Sequence, residues 1–494
     1  MTMTAVAPAP PRADAAPLRV GVARTPLAPH APLALCAALR RLLGEDEVFL
    51  FESLAGPEDD CRFAAVGAGV LARVTVRDGQ VGVDGPPELA DRLLACADRA
   101  DGDVPRLLRE LHTVFDVRTD VPLDSYAFGF LGVFGYEAAR YLEQLPPQAL
   151  GEDPEIVLTL FRHVVRYELD TGESHELHAR SAGFGGPGVL GAGLPELVRT
   201  LPAEEAPVPP APRPTAVRDS VRREEYAERV HRCLEHIRAG DVYQIQMGHR
   251  IDVTSPLPPL DAYRRLRQGN PSPYMYLVPW AGRTLVGASP ELLFRIEDRG
   301  LAMRPIAGTT ARAADPAEDA RRVAALRADA KERAEHIMLV DLCRNDVARV
   351  SEPGTLAVER MMAVEGFSKV HHLVSTVRGE LAGDADVWSV LRATFPAGTM
   401  TGAPKVRAME LIAEIEGRPR GAYAGAVGLI DVRGRAATLA LCIRTAVHDP
   451  RTGTYALQAS AGVVADSSAD GEWRETMAKM GAVYAAVTGE ELAA

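Results

Sequence analysis

Asp329–Asp346 reads DAKERAEHIMLVDLCRND. Ala, Glu, Arg, Leu and Met dominate it and no Gly or Pro interrupts it, so its middle predicts a helix. Glu332 and Glu335 are three residues apart and share a face. Leu339 and Leu342 continue that line, which aims both carboxylates inward. Two carboxylates buried together are costly unless a cation neutralises them. The spacing recurs near the C-terminus in EWRETMAK (472–479), where Glu472 and Glu475 share a face and Lys479 lies one turn beyond Glu475. Two such faces brought together make an all-oxygen site, the ligand set a hard cation such as Mg²⁺ prefers. Alone, each pair is ordinary decoration of a solvated helix; the rest of the chain lifts the reading.

At 494 residues the chain is long enough for two domains or one large composite one. It is 47% hydrophobic and 25% charged, as soluble globular proteins are. A net charge of −12 without a long basic run argues against nucleic acid as a partner. Six scattered cysteines, with no C-x-x-C and no Cys/His ligand spacing, fit free thiols in a reducing cytoplasm. Residues 1–16 read as a disordered Ala/Pro tail rather than a signal peptide. No apolar run approaches the ~18 residues of a membrane span. A soluble, cytoplasmic protein is expected, with no membrane partner.

Residues 17–200 mix strand-like runs (48–51, 71–76, 156–160, 164–169) with helical ones (33–43, 87–99, 104–115). Within them 126–141, YAFGFLGVFGYEAARY, is Gly- and aromatic-rich and then turns helical. Leu201–Val217 holds six prolines in seventeen residues, so 201–219 predicts a stiff, exposed connector between two lobes. Beyond it, 220–492 opens with a helix (222–239) and an alternating, strand-like 241–253. No repeat at a fixed period is visible. Strands alternating with helices through Gly-containing turns predict an α+β or α/β enzyme.

This second lobe gathers an acid in a tight turn (Glu291), a histidine (His372), a tyrosine (Tyr423) and the cations Arg444 and Lys479. Backbone amides around Ser460, Ala461 and Gly462, and in the loop before Pro404, suit a carboxylate as anion nests do. From these residues alone the expectation is a Mg²⁺-dependent enzyme acting on a small polyanion.

The wording and order of the segments go further. PIAGT (305–309), KERAEHIMLVDLCRNDV (331–347), VHHLVSTVRG (370–379), FPAGTMTGAPKVRAME (395–410), GAYAGAVG (421–428) and AGVVADSSADGEWRETMAK (461–479) resemble the chorismate-utilising enzymes. Within that family they are most similar to the large, synthase subunits of anthranilate synthases. FLFES (49–53) and GVFGYEAARYLEQLP (132–146) extend the resemblance into the N-terminal half.

The resemblance implies an α+β fold, a two-sheet α/β sandwich with an N-terminal regulatory lobe (17–200) and a chorismate-binding catalytic domain (220–492). Glu335 and Glu475, backed by Glu332 and Glu472, would hold Mg²⁺ against the ring carboxylate. Arg444, Lys479, Tyr423, the Ser460–Ala461–Gly462 backbone, Gly308 and Thr309 would bind substrate. Glu291 matches the acid that protonates the hydroxyl leaving ring carbon 4. His372 and Thr399 match positions involved in pyruvate loss and substrate positioning. Gln244 stands where water-adding relatives carry a Lys base, so ammonia is the expected nucleophile. Ala307, where many 4-aminating relatives carry a covalent Lys, directs attack to ring carbon 2.

The implied reaction is chorismate plus ammonia to anthranilate plus pyruvate, with ammonia supplied by a separate glutaminase subunit in a hetero-oligomer. The alternatives are release of the aminated intermediate, 2-amino-2-deoxyisochorismate, or amination at ring carbon 4. A catalytically dead paralogue is disfavoured by the retained acids and cations. Glu52, Ser53, Asn270, Pro273, Tyr274 and Met275 match the tryptophan site of the resembled subunits, implying feedback inhibition. QIQMGHR (244–250), Thr310, Cys343 and Ser460 depart from the usual pattern, the last two beside the substrate or metal.

Overall fold

Alternating side chains dominate the strands, and the alternation feeds two cores. Val48 and Leu50 of the Val48–Glu52 strand enter one core while Phe49 enters the other. In Tyr274–Trp280, Met275 and Leu277 go one way and Tyr276 the other. Period-two geometry gives this result when a strand is covered on both faces. The architecture is therefore the expected α+β sandwich, a large, mostly antiparallel strand network with helices packed on it. Leu18–Pro26 beside Phe115–Arg118 is a parallel pair.

The computed structural model describes residues 16–147, 149–191, 194–202 and 207–493. The tail expected at 1–16 lies outside the described residues except for its last residue, as do residues 203–206 of the connector. The connector ends in a strand, Ala216–Asp219, paired with the Gln244–Thr254 strand. Upstream, its Pro207 and Pro209 carbonyls accept hydrogen bonds from Arg264 and Arg265. The lobes on either side share the sheet: Met275 sits opposite Glu52, and Gly129–Phe134 pairs with Ala426–Asp431.

Most expected elements form within a residue or two of their predicted bounds. Two runs read as separate strands are one, Ile156–Glu168, because both pair with the long Phe63–Arg77 strand. The helical turn expected after Gly135 is 3-10, Tyr136–Tyr141. No helix among the described residues is long and apolar enough to cross a membrane.

Three elements position the site. Gln244–Thr254 runs antiparallel to Thr454–Val463, placing Gln246 opposite Gly462 and Gly248 opposite Ser460. The Ala330–Ala348 helix covers the strands Ile306–Ala311 and Val370–Glu380. The Ala469–Thr488 helix docks through Trp473, which stacks on His249 at 4.5 Å. His249 reaches Asp219 at 2.9 Å through Nδ1 and Thr476 at 2.9 Å through Nε2, fixing the register of that helix.

Candidate active site

The Asp329 carboxylate caps the first helix, accepting from the Lys331 and Glu332 amides at 2.9 and 3.0 Å. Its buried face runs through His336, Leu339, Val340, Cys343 and Val347. His336 Nε2 meets the Ser375 hydroxyl at 2.7 Å, and this contact rotates the helix so that Glu332, Glu335 and Leu342 are half-buried at its margin. The inward line expected through Leu342 is thus displaced by one position. The two glutamate faces do meet. Burial, then repulsion from Glu475, pushes the Glu335 carboxyl up; burial, then Glu335, does the same to Glu332. Glu472 is raised by burial, and its Oε2 is buried without a hydrogen-bond partner. Glu475 is exposed and pairs with Lys479 Nζ at 2.5 Å.

This all-carboxylate set, its mutual repulsion and the orphaned Glu472 oxygen suit a hard divalent cation. Among the described residues no three of the four bring oxygens within 4.8 Å of one another. Among the described residues the one His/Cys/Asp/Glu group that meets that distance is His163, Glu176 and His178, on a hairpin of the N-terminal half. There, hydrogen bonds and ring stacking join the side chains: His163 Nδ1 lies 2.7 Å from Glu176, and the two imidazoles are 4.3 Å apart.

Glu291 is buried in the turn between Arg283–Ser289 and Leu292–Glu297. Burial lifts its carboxyl to about 7, opposed by the Thr399 hydroxyl, which donates at 2.9 Å, and by Lys479 and Arg444. A carboxyl still half-protonated near neutrality fits a general acid. Gln244 donates its amide to Glu335 at 3.2 Å, leaving its Oε1 buried and unpaired. The His372 Nδ1 lies 2.9 Å from the Gly308 carbonyl and 3.1 Å from the Thr309 hydroxyl. A carbonyl only accepts, so Nδ1 carries the proton and Nε2 keeps its lone pair. Burial lowers His372 to about 4 and keeps the ring neutral. Gly308 takes φ +62°, and a Cβ there would lie 3.1 Å from Glu332.

Arg444, at φ +51°, makes no side-chain hydrogen bond or ion pair among the described residues, and burial pushes its guanidinium down from the ordinary value. A half-buried cation without a counter-ion suits an anion. Lys479 also donates to the Ser460 carbonyl at 2.9 Å. The Thr445–Asp449 strand pairs with the 454–463 strand only as far as Leu457, so one backbone edge at 460–462 faces no strand. The structure therefore brings the predicted carboxylates, acid, histidine, cations and open strand edge into one region.

Three supporting residues were not foreseen: Gln246, Arg420 and Glu416. Tyr423, Ser460 and Gln246 form a hydrogen-bonded series, with Tyr423 Oη to Ser460 Oγ at 2.7 Å and Ser460 to Gln246 Oε1 at 2.8 Å. Beneath Tyr423, the buried Arg420 lies 5.8 Å from its ring centre and is held by Glu416 at 2.6 Å. The period-two pattern of QIQMGHR was the available signal for Gln246, since it places Gln244 and Gln246 on one face.

The tryptophan-site residues gather only in part. Glu52, Ser53, Pro273, Tyr274 and Met275 line a cavity of about 30 Å³, whereas Asn270 bonds to Ser272 and does not line it. As these side chains stand, that space admits a water or two. Its acidic end is occupied, because the buried Glu52 accepts from Tyr263 at 2.6 Å and from Arg267 at 3.0 Å.

Residues 52–485 match the family model for chorismate binding enzyme. The chain is 45% identical to 2-amino-4-deoxychorismate synthase of Streptomyces globisporus, covering 97% of this chain and 98% of that one. It is 44% identical to anthranilate synthase component 1 of Streptomyces coelicolor, over 80% and 79% of the two chains. The solved anthranilate synthase component I of Streptococcus pneumoniae TIGR4 superposes with a TM-score of 0.71 at 29% identity, covering 86% of this chain and 92% of that one. With the facing glutamate pairs, the buried acid and the unpaired arginine on one fold, the chain belongs to the chorismate-binding enzyme family.

Proposed function

We propose that the chain aminates chorismate at ring carbon 2, with Mg²⁺ as cofactor, and releases the product with its enolpyruvyl group intact. The choice of nucleophile is supported by Gln244, which the family resemblance puts where water-adding enzymes carry a Lys base, and which spends its amide on Glu335. Ammonia needs no such base. Its nitrogen bonds to ring carbon 2 as the ring double bonds shift and the carbon 4–oxygen bond breaks. Glu291 gives its proton to the departing hydroxyl, which leaves as water, and regains one from the new ammonium group. Arg444 and the 460–462 backbone bind carboxylate, and the glutamate pairs hold Mg²⁺, which offsets the ring carboxylate's charge. Ammonia comes from a separate glutaminase subunit.

Retention of the enolpyruvyl group is supported by the relative from Streptomyces globisporus, matched along nearly its whole length. Its name describes chorismate with an amine at carbon 2 and no oxygen at carbon 4, the alternative product of the sequence reading. Ser460, where the resembled anthranilate synthases have Gly, supports it from within the site. The second reading, anthranilate plus pyruvate, is favoured by His372, whose free Nε2 lone pair suits a base for the carbon 2 proton.

Incubation with chorismate, ammonium and Mg²⁺, with pyruvate coupled to lactate dehydrogenase and products weighed by mass spectrometry, separates the two. The expected outcome is chorismate loss without pyruvate, and a product that keeps all ten carbons and gains one nitrogen. Stoichiometric pyruvate with anthranilate fluorescence supports the second reading.

A further inference from the structure

Two hydroxyl groups and one amide oxygen stand in line at the inner wall of the site, and their donor count fixes a direction. Gln246 Oε1 accepts and cannot donate. The Ser460 hydroxyl, 2.8 Å away, must therefore spend its single proton on Gln246. Ser460 Oγ then accepts from Tyr423, 2.7 Å away, so the Tyr423 proton points into the protein. All three side chains are buried, and no competing partner for these hydroxyl protons is present among the described residues.

The strand register explains why Gln246 reaches Ser460. Ser460 lies opposite Gly248, so Gln246 is its diagonal neighbour on the same face. The Gln246 backbone is pinned from two directions, by its amide to the Thr401 carbonyl at 2.8 Å and by Arg420 on its carbonyl at 3.0 Å. Gly462 leaves the space for its amide, since a Cβ there would stand 3.0 Å from Gln246 Nε2.

Resting on the proposed retention of the enolpyruvyl group, we infer that Gln246 is the positioning residue that sets the product, acting through Ser460 to withdraw the Tyr423 proton from the substrate. Pyruvate loss from the aminated ring needs the carbon 2 proton to pass to a base, here His372. The freed electron pair makes the carbon 2–carbon 3 bond double as the carbon 3–oxygen bond breaks. The enolpyruvate that leaves takes a proton at its methylene carbon to become pyruvate. Elimination also depends on how the enolpyruvyl group is held, and its carboxylate is the charged handle that an arginine can grip. With Tyr423 presenting lone pairs, Arg444 holds that carboxylate without a second side-chain donor from this wall. Small misplacements of a reacting bond cost large factors in rate, so elimination lags behind product release.

The test measures pyruvate released per chorismate consumed in Ser460→Gly, Gln246→Met and Gln246→Glu. Ser460→Gly removes the relay, and Gln246→Met removes its acceptor at similar volume. Both free the Tyr423 proton, and the ratio is expected to rise on the order of tenfold or more. Gln246→Glu keeps an acceptor and should keep the parental ratio, which a merely structural role would not predict. Ser460→Gly only trims the wall, so a folding failure of Gln246→Met leaves a decisive variant. Amination with an unchanged ratio in Ser460→Gly overturns the inference while leaving the proposed function standing. One pyruvate per chorismate from the parental chain overturns both.

Discussion

Glu291 is buried with the Thr399 hydroxyl on one oxygen, and burial lifts its carboxyl from the ordinary carboxylate range to about 7. Two consequences share that cause. As an acid it must be protonated, so turnover at saturating ammonia falls as pH rises through about 7. For stability, the folded state binds a proton between the ordinary value of 4.5 and about 7 that the unfolded state has released, so stability falls as pH rises across that window. Glu291→Gln is neutral throughout. It should abolish amination yet melt at or above the parental temperature at pH 8, a gain of at most about 3 kcal/mol. A lower melting point at pH 8 would contradict a buried, raised carboxyl. Glu335 tests the cation. Glu335→Gln relieves the repulsion shared with Glu475 and Glu332, so it should keep the fold while Mg²⁺-dependent turnover and calorimetric Mg²⁺ binding are both lost. Ordinary turnover at ordinary Mg²⁺ would remove Glu335 from the ligand set.

The Val48–Glu52 and Tyr274–Trp280 strands, paired side by side, carry most of the expected tryptophan site. Met275 sits directly across from Glu52, whose carboxylate is already committed to Tyr263 and Arg267. Calorimetry with tryptophan and no chorismate should show no binding; a Kd tighter than about 1 mM would contradict this. Sequence located the first of these strands but not the partners of Glu52, because Tyr263 and Arg267 come from a separate helix, Pro259–Gly269. The catalytic elements were more legible. The two glutamate pairs follow from spacing, and Glu291, His372, Arg444 and Lys479 from the family resemblance; the structure brings them together. What escaped was orientation. The turn of the Ala330–Ala348 helix is set by His336 against Ser375, a contact between residues 39 apart in the chain. Period two puts Gln246 on the face of Gln244, but its partner came only from strand register, which places it diagonal to Ser460.

The described residues on either side of the proline-rich connector share strand pairs and both cores and so pack as one body. Among the described residues no cysteine resembles a glutaminase nucleophile, which requires an activated thiolate. Burial does the reverse to these cysteines, lifting Cys61 and Cys96 to about 11 and Cys36, Cys233 and Cys442 to about 12. The purified chain should therefore turn over chorismate with ammonium and show no glutamine-dependent rate until a glutaminase subunit is added. Glutamine use by the chain alone would contradict this.

The central claim, amination at ring carbon 2 with the enolpyruvyl group retained, has one direct measurement. Chorismate and ¹⁵N-labelled ammonium are converted with Mg²⁺, and nitrogen-edited NMR is recorded on the product. The account predicts a ¹⁵N label coupled to the proton on ring carbon 2, with the two enolpyruvyl methylene protons still present. A label on ring carbon 4, or an aromatic product without those methylene protons, would contradict it.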